Sequence, residues 1–193
     1  MRNHLLILLC LTLSAFSQAS SYVDAKRHFT FDFNELGWEL SDKKANDRPA
    51  KEDVDKNMAE RTLVAVQRKE ADDKYHSRFS VVVDDLSSFK ETGALLLSAY
   101  HRKTVGFLKN QRFDVLSTNS VKMPLIATPA FETIANQRDF GLTFRQVVLV
   151  RGKEAYILTA TSRTKRFEAQ EKELKALFDT FTFDSDVKKP EGK

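Results

Sequence analysis

The sequence predicts a single α+β domain in which strands outnumber helices. Three observations carry that reading. His28 to Phe33 alternates strictly, with Phe29, Phe31 and Phe33 on one side and His28, Thr30 and Asp32 on the other, the pattern of a half-buried strand. Further strand-like runs follow through short polar connections, among them Gly152-Lys153, a tight hairpin signal. Only two stretches, one opening near Ser88 and one over residues 165 to 178, repeat apolar residues at helical spacing. Strands, a helix, several strands, a helix and a last strand make an α+β order.

After the first strand, Asn34-Glu35-Leu36-Gly37 leads to a second at Trp38-Glu39-Leu40, which carries the only tryptophan. Residues 42 to 57 are dominated by charge and contain Pro49, so they read as a solvated loop. Leu63 to Arg68 and Arg78 to Asp84 are the next strands, joined by the polar connection Glu70 to Lys74. Ser88-x-x-Glu91 has capping-box spacing, so a helix is expected to start there and run to about Lys109. At about 100° per residue, Phe89, Leu96, Tyr100 and Phe107 fall within roughly 40° of one line and should face the sheet. Strands are expected at Phe113 to Thr118, Val121 to Ile126, Phe131 to Arg138, Phe140 to Arg151 and Ala155 to Thr161. Pro124 confines the second of these to an edge or a bulge. Phe167, Leu174, Leu177 and Phe178 stripe the last helix, Phe181 to Phe183 is a short final strand, and residues 185–193 read as a disordered tail.

The N-terminus reads as a cleaved secretory leader. Met1-Arg2-Asn3-His4 is the positive start, Leu5 to Leu13 the apolar run, and Ser17-Gln18-Ala19 the small-x-small cleavage site, so residues 1–19 are expected to leave. That run is too short to cross about 30 Å of hydrocarbon. A lipoprotein anchored at Cys10 is the rival, but Leu9 stands where a small residue is needed. Removing the leader removes the only cysteine, which excludes disulfides and thiolate metal sites. Without a glycosylation sequon either, the sequence fits a bacterial protein exported to the periplasm or secreted. Residues 20–184 are then one domain, large enough to bury a core unaided.

The chemistry of common enzymes is missing. There is no Gly-x-Ser-x-Gly, no Gly-rich phosphate loop and no His-Glu-x-x-His, and six glycines leave little room for one. His28 and His101 are expected on polar, solvated faces, and no two histidines share ligand spacing, so no metal or cofactor is expected. Asp53-x-Asp55-x-Asn57 imitates a calcium loop but fails at Met58, where Gly belongs, and at Val64, where Glu belongs. Asp72-Asp73 and Asp84-Asp85 are adjacent carboxylates, which a strand sends to opposite faces and a turn leaves in water. With 31 basic and 27 acidic residues the net charge is +4, too even to argue for nucleic acid.

Two groups remain as candidate binding residues. Leu95, Arg102 and Val105 project onto the outer flank of the first helix, and Arg163, Lys165 and Arg166 form a basic cluster before the second. For the cluster the bland alternative is an ordinary solvated surface, and for the flank it is cover by another part of the chain. The fifteen phenylalanines are most simply the sheet core, with a Phe-lined ligand pocket as the alternative.

Three local patterns add a resemblance: Phe31-x-Phe33 with Gly37-Trp38, the hairpin ending Glu154-Ala155-Tyr156-Ile157-Leu158-Thr159-Ala160-Thr161, and Leu177-Phe178-x-x-Phe181-x-Phe183. Together with the element order they resemble the PsbP-like fold family, which includes PsbP, DcrB, the Ran-binding release factor and type VI effector chaperones. The resemblance implies a single antiparallel sheet flanked by helices, an α/β/α sandwich, and a non-enzymatic role of binding through a sheet edge or a face beside a helix. The chain departs from many members by having no Pro before Gly37-Trp38. The expected function is an exported binding module that docks an envelope or secreted protein, with a small-ligand or lipid carrier as the alternative.

Overall fold

The computed structural model describes residues 19–34, 37–41, 62–72 and 74–186. The leader up to residue 18, the charged segment 42–57 with its calcium-loop imitation, Asp73 and residues 187–193 lie outside them.

Among the described residues the chain forms β1 (Ala19–Asp24), β2 (Phe29–Asn34), β3 (Trp38–Leu40), β4 (Thr62–Asp72), β5 (Tyr75–Asp85), α1 (Gly93–Asn110), β6 (Asp114–Val121), β7 (Ala130–Gln137), β8 (Leu142–Arg151), β9 (Glu154–Arg163), α2 (Thr164–Asp179) and β10 (Thr182–Phe183). The expectation of a single sheet is corrected: there are two, a seven-stranded one in the order β3-β4-β5-β9-β8-β7-β6 and a three-stranded one in the order β1-β2-β10. All strand pairs are antiparallel. Period-two alternation shows that a strand has a buried face, and it does not say which strand pairs with which. β1 has no sequence signal, because Ser20 to Asp24 carries too few apolar residues to show a pattern, and its register comes from β2.

The two faces of the large sheet carry different partners. Phe79, Val81 and Val83 of β5 join Leu158 of β9 and Leu149 of β8 in one core, closed by Phe167, Leu174, Leu177 and Phe178 of α2 and by the phenylalanines of the small sheet. Val82, Val148 and Ile157 face the other way and pack on Leu96, Leu97 and Tyr100 of α1. A helix thus lies on each face, and the small sheet shares one of them with α2.

Phe29, Phe31 and Phe33 turn inward as their alternation requires, while Thr30, Asp32 and Asn34 stay out of the core. The β8–β9 hairpin turns on Gly152-Lys153 between Arg151 and Glu154, and Gly152 takes a positive φ of 61°, which a residue with a side chain adopts only with strain.

Three local expectations are corrected. Ser88-x-x-Glu91 caps nothing: α1 begins at Gly93 after Thr92, with no side-chain cap bond. The carbonyls of Phe89 and Glu91 instead accept from Lys153 Nζ at 2.7 and 3.0 Å, which draws that segment toward the β8–β9 turn. Residues 122–129 form a connection rather than a strand, with Met123 and Ile126 buried beneath it. Phe140 ends a short 3-10 turn, Arg138–Phe140, that stops at Gly141 in the left-handed region, so β8 starts later than the apolar run suggests.

Candidate binding surface

Helix α1 crosses the sheet obliquely. Its first half packs on Val82 of β5 and on Ala155 and Ile157 of β9, and Leu108 near its end packs on Ala135 of β7 and Phe144 of β8. Phe107, expected in the core, is 57% exposed, whereas Leu108 is buried. On the outer flank Leu95 is 72% exposed, Arg102 is exposed and Val105 is half-buried. His101 also departs from expectation, being buried against β7.

Charge on this helix has one sign. Across its 18 residues α1 contains Arg102, Lys103 and Lys109 and no carboxylate. Lys103 Nζ sits 5.2 Å from the centre of the Phe89 ring, a cation–π placement on the flank near that ring. α2 is different: Lys165, Arg166, Lys172 and Lys175 alternate with Glu168, Glu171, Glu173 and Asp179, and Lys175 pairs with Asp179.

The basic cluster and the α1 flank do not converge. α1 and α2 lie on opposite faces of the large sheet, and Leu95 lies at the end of α1 near Lys153, far from the start of α2. Arg163, the residue preceding α2, has a structural task. Its Nη1 donates to the Phe140 carbonyl at 2.8 Å and its guanidinium lies 5.4 Å from the centre of the Tyr75 ring. Lys165 and Arg166 are exposed on the first turn of α2. Nearby, Phe140 is 49% exposed, a residue that the sequence placed inside a strand. Gly141, directly after it, was the available sign of a turn.

Other polar clusters have identifiable work. Tyr156 donates to Glu154 Oε2 at 2.9 Å, and burial, reinforced by that carboxylate, pushes its hydroxyl well above the ordinary tyrosine value. Ser87 donates to Asp85 through both its hydroxyl and its backbone, which holds that carboxyl below its ordinary value. Two surface depressions have volumes of about 390 Å³, lined by Ser88, Phe89, Lys90, Glu91 and Lys103, and about 430 Å³, lined by Arg27, Val83, Asp84, Asp85 and Glu154. Both are mostly polar, unlike the Phe-lined pocket a carrier requires. The rings that would line such a pocket fill the core instead: Phe31 and Phe79 lie 5.1 Å apart, Phe79 and Phe178 5.2 Å, and Phe29 and Phe181 5.3 Å. Among the described residues no three His, Cys, Asp or Glu side chains gather where they could hold a metal ion. No helix among them is long and apolar enough to cross a membrane.

Fold and surface together define an antiparallel two-sheet α+β scaffold that presents one basic, partly apolar helix. Comparison with solved structures places the scaffold: the fold is PsbP-like. The chain is similar to the solution structure of cyanobacterial PsbP from Synechocystis sp. PCC 6803, with a TM-score of 0.57 and 11% identity over 88% of this chain and 95% of that one. It is also similar to PA94 of Pseudomonas aeruginosa, described as a protein of unknown function and putative regulator, with a TM-score of 0.52 and 13% identity over 84% of this chain and 94% of that one. No protein-family model matches the chain, and no curated protein matches it significantly.

Proposed function

We propose that the chain is an exported, non-enzymatic binding module that docks an acidic envelope or secreted protein through the outer face of α1. One observation carries the reading. An 18-residue helix with no carboxylate presents Leu95 and Arg102 together on its outward side, and Phe107, on the sheet-facing line, adds exposed apolar surface only at the last turn. Large apolar side chains left in water on a helix that carries only positive charge suit a partner with an apolar recess bordered by carboxylates. Charge steers the encounter and the apolar contacts hold it. Lys165 and Arg166 fit less well, because the glutamates of α2 dilute their field.

Export rests on the leader pattern of residues 1–19, and the non-enzymatic reading on the missing catalytic motifs. The test is affinity capture from bacterial envelope fractions with residues 20–193, followed by native mass spectrometry. A stoichiometric acidic protein supports the module. A bare chain carrying a lipid or small molecule turns the reading to the carrier.

A further inference from the structure

We propose that His101 is an acid-sensitive latch that holds α1 on the seven-stranded sheet. His101 sits midway along α1, is 9% exposed, and faces β7. Its Nε2 lies 3.0 Å from Thr133 Oγ1, and its ring lies flat on Phe131, with centroids 4.4 Å apart and an interplanar angle of 8°. A neutral imidazole satisfies this site, since the Thr133 hydroxyl can donate to the ring or accept from it.

The surroundings offer no counter-charge to an imidazolium. Cross-strand partners share a face of the sheet. The face under α1 therefore carries Phe131, Thr133 and Ala135 from β7, Phe144, Gln146 and Val148 from β8, and Val115, Thr118 and Ser120 from β6. None of these side chains titrates; the carboxylate that this face does carry, Asp84 of β5, lies three strands from β7 and accepts from the Tyr100 hydroxyl. Glu132 of β7 and Arg145 of β8 point to the opposite face and pair there at 3.0 Å. Asp114, at the start of β6, is taken by Arg138. On α1 itself the nearest charges, Arg102 and Lys103, are cations and oppose a further positive charge. The π face of Phe131 returns part of the cost of a buried cation, but no carboxylate returns the rest. Burial accordingly holds the ring below the ordinary histidine value.

In acid the proton is therefore taken up most favourably when α1 lifts and the ring reaches water, which couples protonation to opening of the helix. Leu108, seated on Ala135 and Phe144 two turns further on, moves with it. The latch operates whether or not α1 docks a partner.

Two measurements on the purified protein test this. The imidazole signals are titrated by NMR, with His101 assigned by its loss in His101→Gln. Amide exchange is compared across α1, β5 and β9 at about pH 7.5 and about pH 5. His101 is expected to titrate below about 6.5. On acidification α1 is expected to lose about tenfold more protection than β5 and β9, and His101→Gln is expected to remove that difference. A His101 that titrates at or above the ordinary value overturns the latch. So does α1 protection that falls in parallel with the strands, or an acid response that survives in His101→Gln. Should that variant fail to fold, the wild-type titration, assigned through the Phe131 contact, decides alone.

Discussion

Trp38 donates its indole N–H to Oε1 of Glu173 at 2.6 Å, tying the edge strand β3 to helix α2. The other oxygen of the same carboxylate lies 3.5 Å from Arg68 Nη1, and the Gly37 carbonyl accepts from the Lys69 amide at 3.0 Å. The Gly37-Trp38 pair is therefore a structural clamp rather than a binding site. Glu173→Ala strands a buried indole N–H and is expected to destabilise the fold by about 1–3 kcal/mol. Urea unfolding followed by the fluorescence of the single tryptophan reads it directly. An unchanged midpoint would show that the clamp carries nothing.

Arg145 is the second tie between α2 and the sheet, with Nε 3.0 Å from Glu132 Oε1 and Nη2 2.9 Å from Glu171 Oε1. Arg145→Met removes the cation and leaves the half-buried Glu132 carboxylate beside an apolar side chain, at a cost of up to about 3 kcal/mol. Adding Glu132→Gln should restore a large part of it, because a neutral amide is cheaper to bury than a lone carboxylate. Denaturation midpoints of the single and double variants check this, and equal loss in both would contradict it.

What the sequence disclosed, and what it hid, follows from the range of each signal. Phe29, Phe31 and Phe33, the Gly152 hairpin and the Phe167-to-Phe178 stripe are local patterns, and each lies where its period places it. Phe107 and His101 exchanged places because a helical projection gives the direction of the apolar arc and not the course of the strands beneath it. The second sheet was hidden because β10 reaches β2 across most of the chain, a pairing that no local period encodes. Of the candidate residues, Leu95 and Arg102 are exposed and Val105 is half-buried, while Arg163 serves the Phe140 carbonyl.

The α1 flank makes a neighbouring-residue prediction. Leu95→Ser should change stability by no more than about 0.5 kcal/mol, since its side chain is already in water. Leu96→Ala, one position along and fully buried, should cost about 2–5 kcal/mol. Similar thermal midpoints for the two variants would show that the helix is rotated from the position described.

Stability should fall on both sides of neutrality. Folded His101 is held below its unfolded value, so as pH drops below about 6.5 the unfolded chain takes the proton first and stability declines. Tyr156 is held above its unfolded value, so its contribution is intact below about pH 10 and is lost as pH rises past that point. Chemical denaturation across pH should show His101→Gln flattening the acid limb and Tyr156→Phe the alkaline one. An unaltered limb in either variant would remove that residue from the account.

Docking through α1 is tested by paired capture experiments. Wild-type chain, Leu95→Ser/Arg102→Glu and Lys165→Glu/Arg166→Glu are each immobilised and offered the same envelope fraction, with folding confirmed by circular dichroism. One acidic protein should be retained in stoichiometric amount by the wild type and by the α2 variant, and lost from the α1 variant. Retention by the α1 variant, or loss confined to the α2 variant, would contradict it.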